Sequence, residues 1–335
     1  GGSSGGSAAI VSSMQVPISL GSDTGGSIRC PSSFCSVIGL KPTFGSVSRY
    51  GLVSYSNSLE QIGPIAKTVN DIALVLNAIS GKDLNDDTTL DLHFQYQINT
   101  MEAIFSKKYR IGVIKNLIDN SDDQVSKLIY NKIERLKENF FNIKDTKINY
   151  SDFALAAYYI IATAEASSNL SRFDNIRYGF DFNPEGYEWN NYSSQVRSNF
   201  GDEVKRRILV GSYVLSAGYY GKYYLKAQKV RNLIKGEFNR LFKLFDVLIL
   251  PTMPILPFKI GEKDTTPLDL YNIDIYTILA NLAGIPAISI PAGFSKEGLP
   301  VGLQILSGEH NEQMLIDLAL FFEKNDKFNE WNPRI

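Results

Sequence analysis

The sequence predicts an α/β fold, a sheet covered by helices on both faces, and three observations predict it. Residues 109–114 (YRIGVI) form a short apolar run, and Val125, Leu128, Ile129, Ile133 and Leu136 then recur at helical spacing, so a strand leads into a helix. Residues 247–250 (VLIL), 287–290 (AISI) and 301–306 (VGLQIL) are nearly unbroken apolar runs, the pattern of strands buried on both faces. With 44% apolar and 21% charged residues over 335 positions, the chain can fill a large core, which excludes disorder and fibrous repeats.

The elements follow in order. Residues 1–7 (GGSSGGS) read in isolation as a flexible Gly/Ser linker. The stretch up to about residue 60 interleaves Gly, Ser and Thr with short apolar runs (VPISLGS, CSVIGL, GLVSYS), which predicts packed loops and strands. At 68–71, TVND is a capping-box-like start; Ile72, Val75, Leu76 and Ile79 continue the helix and Gly81 closes it. Polar residues 82–89 predict an exposed connection, and 82–200 is expected to be a less regular helical insertion within a single domain spanning 1–335. A second helical region covers 203–244. The most apolar stretch, 247–258, is shorter than the ~20 residues of a bilayer span and carries three prolines, so no membrane helix is expected. The opening residues lack the charged and apolar regions of a signal peptide.

Charge and composition narrow the chemistry. Thirty-four Lys plus Arg against 35 Asp plus Glu leave a net charge of −1, so no overall positive field draws the chain to nucleic acid or an anionic membrane. Two cysteines, Cys30 and Cys35, supply neither a disulfide framework nor a four-ligand zinc site; they are expected to be buried, inert thiols in a reducing compartment. Only two histidines exist, His93 and His310. A catalytic mechanism without imidazole is therefore expected.

The run GSDTGGSIR at 21–29 suggests one. Gly25 and Gly26 can adopt conformations closed to other residues, so that the backbone N–H groups of Thr24, Gly25, Gly26 and Ser27 converge on one point. Ser27 would attack a carbonyl whose developing negative oxygen lands on those amides. Without a ligand the same run is a tight turn, in which Asp23 and Arg29 read as a pair stapling the loop. The GGSSG at 1–5 also matches the nucleophile-elbow pattern, but no strand precedes it as that motif requires.

Three motifs in order, GGSSGGSAA, GSDTGGSIR and GLKPT at 39–43, resemble the amidase signature family. The resemblance implies a central mixed β-sheet with helices on both faces, Ser27 as nucleophile, and Ser3, in a cis peptide, as relay to a neutral lysine. Such a lysine must have its pKa depressed from ~10.4 toward neutrality. In the family that lysine lies tens of residues before the first motif, a stretch these 335 residues do not contain; Lys41 stands elsewhere and reads as structural. The chain as given is thus expected to be a truncated amidase core with little activity alone.

Further segments (YGLVSYSNSLEQIGP, EASSNLSRFDNIRYG and GDEVKRRI at 201–208 running into LVGSYVLSAGYYGKYYLKAQKVR) resemble the A-subunit branch of the tRNA-dependent amidotransferases. That resemblance implies glutamine as substrate, with Arg207 on its carboxylate, Asp274 on its ammonium and Tyr158 lining the pocket; charged partners are what a desolvated zwitterion requires. Read without it, Arg207 in a KRR run is a solvated helix face, Asp274 an N-cap, and of Tyr158 and its neighbour Tyr159 only one can face a site. The resemblance also implies a B-subunit partner, a small C-type subunit, misacylated Glu-tRNA(Gln) bound mainly by the partner, and no cofactor in this chain, with ATP and Mg²⁺ used by the partner. A cytoplasmic location is implied, or the mitochondrial matrix or a plastid in a eukaryote. A stand-alone small-amide amidase and a non-catalytic assembly module are the alternatives.

Overall fold

A computed structural model describes residues 2–92, 95–139, 142–173, 183, 185–259 and 273–331, which leaves His93 outside the described residues. The elements are α1 (Gly5–Ser12), β1 (Ile18–Asp23), α2 (Arg29–Phe34), β2 (Ile38–Lys41), β3 (Gln61–Ala66), α3 (Val69–Ile79), α4 (Met101–Ser106), β4 (Arg110–Ile114), α5 (Lys115–Asp119), α6 (Asp123–Glu138), β5 (Asn142–Thr146), α7 (Ser151–Leu170), α8 (Trp189–Arg197), α9 (Asp202–Leu215), α10 (Tyr224–Leu244), β6 (Val247–Pro251), a 3₁₀ turn (Asp274–Tyr276), α11 (Ile278–Ala283), β7 (Ala287–Phe294), β8 (Pro300–Ser307), α12 (Glu312–Asp326) and a second 3₁₀ turn (Phe328–Glu330).

The eight strands form one sheet in the order β1-β3-β2-β7-β8-β6-β4-β5. Pairing is antiparallel from β1 through β6 and parallel where β4 meets β6 and β5, so the sheet is mixed. Helices cover both faces, as the alternation of strand residues shows. Ala66, Val247, Ile249, Leu303 and Ile305 pack in the large core with α3, α6 and α12, whereas Ile65 turns to the opposite face and packs with Ala8 and Val11 of α1.

Local signals account for several elements. Thr68 caps α3 by accepting the Asp71 N–H, the first half of a capping box, and donates its hydroxyl to the Asp71 carboxylate at 2.6 Å. The α6 stripe buries Val125, Ile129, Ile133 and Leu136. The opening Gly/Ser tract differs from its linker-like composition. Residues 5–12 are helical because Ala8 and Val11, both fully buried, pack on Ile28, Val37 and Ile65.

The chain divides into two compact units. The larger comprises 1–51, 59–155 and 231–335 and carries the whole sheet; the smaller comprises 52–58 and 156–230 and is helical. Residues 82–155, which the sequence suggests grouping with a helical insertion, belong to the larger unit and supply β4 and β5 as a regular strand–helix–strand unit. The helical region over 203–244 is two helices, α9 and α10, separated by a turn in which Gly218 adopts a φ of 85°. Among the described residues no helix is long and apolar enough to cross a membrane.

Candidate active site

Strand β1 delivers residues 24–28 from its C-terminal end, and α2 begins immediately after them. Between the two, the Asp23 carboxylate organises the loop. Its Oδ1 accepts the Gly26 N–H at 2.8 Å and its Oδ2 the Ile28 N–H at 3.1 Å. Arg29 closes the staple that the sequence suggested, donating Nε to Asp23 Oδ2 at 3.0 Å and Nη2 to Oδ1 at 2.9 Å, with both side chains fully buried. The remaining guanidinium hydrogens go to Thr277 O, Gln304 Oε1 and Asn281 Oδ1 at 2.9, 2.6 and 2.7 Å, so all five donors of Arg29 are used. Burial pushes the Asp23 carboxyl up, but Arg29, Lys41 and the Asn281 amide more than offset it and hold it at about 2.

These contacts fix successive peptide planes around Ser27. The Gly25 carbonyl accepts Thr277 Oγ1 at 2.6 Å, the Gly26 carbonyl accepts the Cys30 N–H at 2.7 Å, and the Ser27 carbonyl accepts the Ser4 N–H at 3.1 Å. Gly26 has a φ of 135°, and a Cβ there would stand 2.2 Å from Thr277 Oγ1, so only glycine fits. The cradle differs from the expected four amides in one member. The Gly26 N–H is already donated to Asp23 and does not join the cradle. The N–H groups of Thr24, Gly25 and Ser27 donate to no protein acceptor among the described residues.

Ser3 follows a cis peptide between Gly2 and Ser3 and is exposed; Ser27 is half-buried. Ser4 fastens this segment, accepting the Ser22 N–H at its Oγ while its own N–H bonds the Ser27 carbonyl, which brings Ser3 alongside the loop of 24–28. Lys41 is buried and donates Nζ to the Pro42 carbonyl at 2.8 Å; burial is the main cause that brings its pKa down to about 7, with Arg29 adding to it and Asp23 and Glu312 opposing. Its bonded partner is main chain and not a serine, in line with a structural role. Cys30 packs with Met253 and Ile273, and burial, aided by Asp274, pushes its thiol up to about 12; Cys35 is half-buried and also raised by burial.

Asp274 lies in the larger unit with Ser27 and Ser3, half-buried at the start of the 3₁₀ turn. It is not the N-cap: Ile273 holds that position, and the Asp274 carbonyl accepts the Thr277 N–H at 3.0 Å. Arg207 and Tyr158 lie in the smaller unit. Arg207 sits on α9 with Nε on Glu203 Oε1 at 2.7 Å and its guanidinium 4.9 Å from the centre of the Tyr55 ring, so it is no free solvated side chain. Burial would pull the Arg207 pKa down, but Tyr55, Glu203 and Tyr158 beside it hold it above the ordinary value. Tyr158 is buried, and its ring meets that of Tyr159 edge-on at 5.0 Å.

The amidase family model matches residues 1–316. The chain belongs to the amidase family. Among similar amidases, the A subunit of glutamyl-tRNA(Gln) amidotransferase from Archaeoglobus fulgidus is 52% identical over 320 residues, which cover 95% of this chain and 67% of that protein. Its counterpart from Methanococcoides burtonii is 50% identical over 335 residues, covering 99% and 70%. The crystal structure of the Thermotoga maritima counterpart matches with a TM-score of 0.80 at 41% identity, covering 97% of this chain and 66% of that one. This amidase chain thus spans about two thirds of the length of the relatives it matches. Its mixed sheet with helices on both faces is the amidase-signature α/β fold.

Thr277, Asn281 and Gln304 complete the site, although no motif singles them out. A signal was there: Thr277 and Asn281 stand four apart in the apolar run YTILANLAG, on one helix face, and Gln304 interrupts the strand VGLQIL. A polar residue inside a fully buried run needs a partner: the Asn281 and Gln304 side chains accept from Arg29, and the Thr277 hydroxyl donates to the Gly25 carbonyl.

Proposed function

We propose that this chain is the glutamine-hydrolysing A subunit of a tRNA-dependent amidotransferase. The observation that carries the reading is the loop of 24–28, pinned at the Gly25–Gly26 peptide beside a half-buried serine, with the N–H groups of Thr24, Gly25 and Ser27 left without protein acceptors among the described residues. Ser27 Oγ attacks the side-chain carbonyl carbon of glutamine while the carbonyl oxygen takes negative charge on the Thr24, Gly25 and Ser27 amides. The Ser27 proton passes to Ser3 and from Ser3 to a neutral lysine, which the family resemblance places ahead of the first Gly/Ser motif, and returns to the departing ammonia. Water then hydrolyses the acyl-enzyme to glutamate. Arg207 takes the substrate carboxylate, Asp274 the ammonium, and Tyr158 lines the pocket.

Ammonia goes to a B-subunit partner that uses ATP and Mg²⁺ to activate the glutamate of Glu-tRNA(Gln); a small C-type subunit completes the assembly, in the cytoplasm or in an organelle matrix of a eukaryote. The names of relatives about half identical over nearly the whole chain support this assignment over a stand-alone amidase. The test uses the complete assembly from the full reading frame. Ser27→Ala is expected to abolish glutamine-dependent Gln-tRNA formation and leave ammonium-dependent formation intact. Arg207→Ala is expected to raise the glutamine KM with little loss of folding. Retained glutamine use by Ser27→Ala overturns the mechanism, and an unchanged KM removes Arg207 from the site.

A further inference from the structure

The Gly25–Gly26 peptide is the weak point of the cradle. Two successive glycines have no side chains to oppose rotation about the bonds that flank the peptide between them, and those rotations set how the Gly25 and Ser27 amides on either side face. That peptide is pinned at both ends. Its N–H is on Asp23 Oδ1 at 2.8 Å, and its carbonyl is on Thr277 Oγ1 at 2.6 Å. Asp23 is itself braced by Arg29 and Asn281, so the second anchor rests on one hydroxyl that lies 252 residues away in sequence.

Thr277 is fully buried and well held for this task. Its carbonyl accepts Arg29 Nη1 at 2.9 Å and its N–H donates to the Asp274 carbonyl at 3.0 Å. Its hydroxyl also lies 3.1 Å from the Asp274 carbonyl, but it has one proton, and the 2.6 Å contact with Gly25 takes it. The same turn therefore carries Asp274 at its start and the Gly25 anchor at its end.

We propose that Thr277 is a positioning residue: it holds the Gly25–Gly26 peptide in the orientation that turns the flanking amides toward the oxyanion, and it ties that peptide to the turn bearing Asp274. The proposal rests on the reading of Ser27 as nucleophile, but not on glutamine being the substrate.

The experiment uses the complete assembly and a fluorophosphonate probe that needs no glutamine. In the labelling step the Ser27 Oγ–phosphorus bond forms as the phosphorus–fluorine bond breaks; fluoride leaves with the hydroxyl proton, and charge develops on the phosphoryl oxygen. Intact-protein mass spectrometry reads the rate. Thr277→Val, which removes the hydroxyl at nearly constant volume, is expected to slow Ser27 labelling by about tenfold to a hundredfold, less than or equal to the loss from deleting an oxyanion donor outright. Glutamine kcat should fall in parallel, with KM within about twofold, since ground-state binding is not what the anchor serves. Thr277→Ser should restore both rates. If Thr277→Val does not fold, Thr277→Cys, a weaker donor of similar size, should label at an intermediate rate.

Labelling by folded Thr277→Val or Thr277→Cys at the wild-type rate overturns the proposal, as does failure of folded Thr277→Ser to recover. A wild type that is never labelled at Ser27 overturns it together with the nucleophile. A wild type that labels at Ser27 but leaves glutamine intact overturns the glutaminase reading alone, and the variant rates still decide the role of Thr277.

Discussion

Arg29→Met should show how much of the site depends on one buried ion pair. The substitution keeps an unbranched side chain in a fully buried position but removes five hydrogen bonds and leaves the Asp23 carboxylate without its cation. Removing one member of a buried pair costs ~3–5 kcal/mol, because the other charge stays desolvated. That is a large share of the ~5–15 kcal/mol that holds a domain together. Asp23→Asn combined with Arg29→Met removes both charges, so the double variant should be more stable than the sum of the single losses by at least about 2 kcal/mol.

Acid provides a second readout of opposite sign in the two proteins. In the wild type the Asp23 pKa falls from 3.8 to about 2 on folding, so its contribution is complete above about 4 and is lost as the pH drops toward 2. In Arg29→Met the stranded carboxyl favours its protonated form on folding, so acidification should relieve part of the destabilisation. Urea unfolding followed by circular dichroism at several pH values measures both effects. A single variant within about 1 kcal/mol of wild type, or strict additivity in the double, would refute the reasoning.

Two further predictions concern the same neighbourhood. Lys41 binds its proton up to about 10.5 when unfolded but only up to about 7 when folded, so the unfolded chain holds more protons between those values and stability should climb as pH rises through them. Lys41→Met should flatten that climb, by an amount on the order of a few kcal/mol, and parallel urea series at pH 7 and 9 check it. Gly26→Ala places a Cβ 2.2 Å from Thr277 Oγ1 at a φ of 135°, so it should cost ~1–3 kcal/mol and lower Ser27 reactivity by about tenfold or more; thermal melts together with Ser27 labelling test it, and a variant that labels normally would contradict the geometry.

What the sequence made legible and what it hid follow from the range of the forces involved. The Thr68 cap, the α6 stripe and the strands β6, β7 and β8 were readable because each is set by neighbours a few residues away. Helices α1 and α2 were not, since GGSAAIVS and RCPSSF carry no amphipathic stripe. They form where they dock. Ala8 and Val11 fill a gap over Ile65, and the Ser32 side chain approaches so closely that a Cβ at Gly39 would meet Ser32 Oγ at 2.2 Å. In the site, Ser27 announced itself through two glycines, and Asp23 and Arg29 through their spacing around them. Which amides the oxyanion could use was not legible, because that depends on which N–H Asp23 takes.

The buried pair also explains how the loop of 24–28 is oriented without imidazole. A pair of apolar side chains of the same volume would often leave a core as stable or more so, which makes stability alone a poor reason for charge at positions 23 and 29. Only an anion with two acceptor oxygens can take two loop amides, two guanidinium hydrogens and the Asn281 amide at once, and only a five-donor cation can tie that anion to β8, α11 and the turn that carries Asp274. The charge at this site therefore acts on peptide orientation, and in the proposed mechanism proton transfer falls to Ser27, Ser3 and a lysine. In that mechanism a serine beside amides set this way needs no imidazole to place them, only a neutral amine to take its proton.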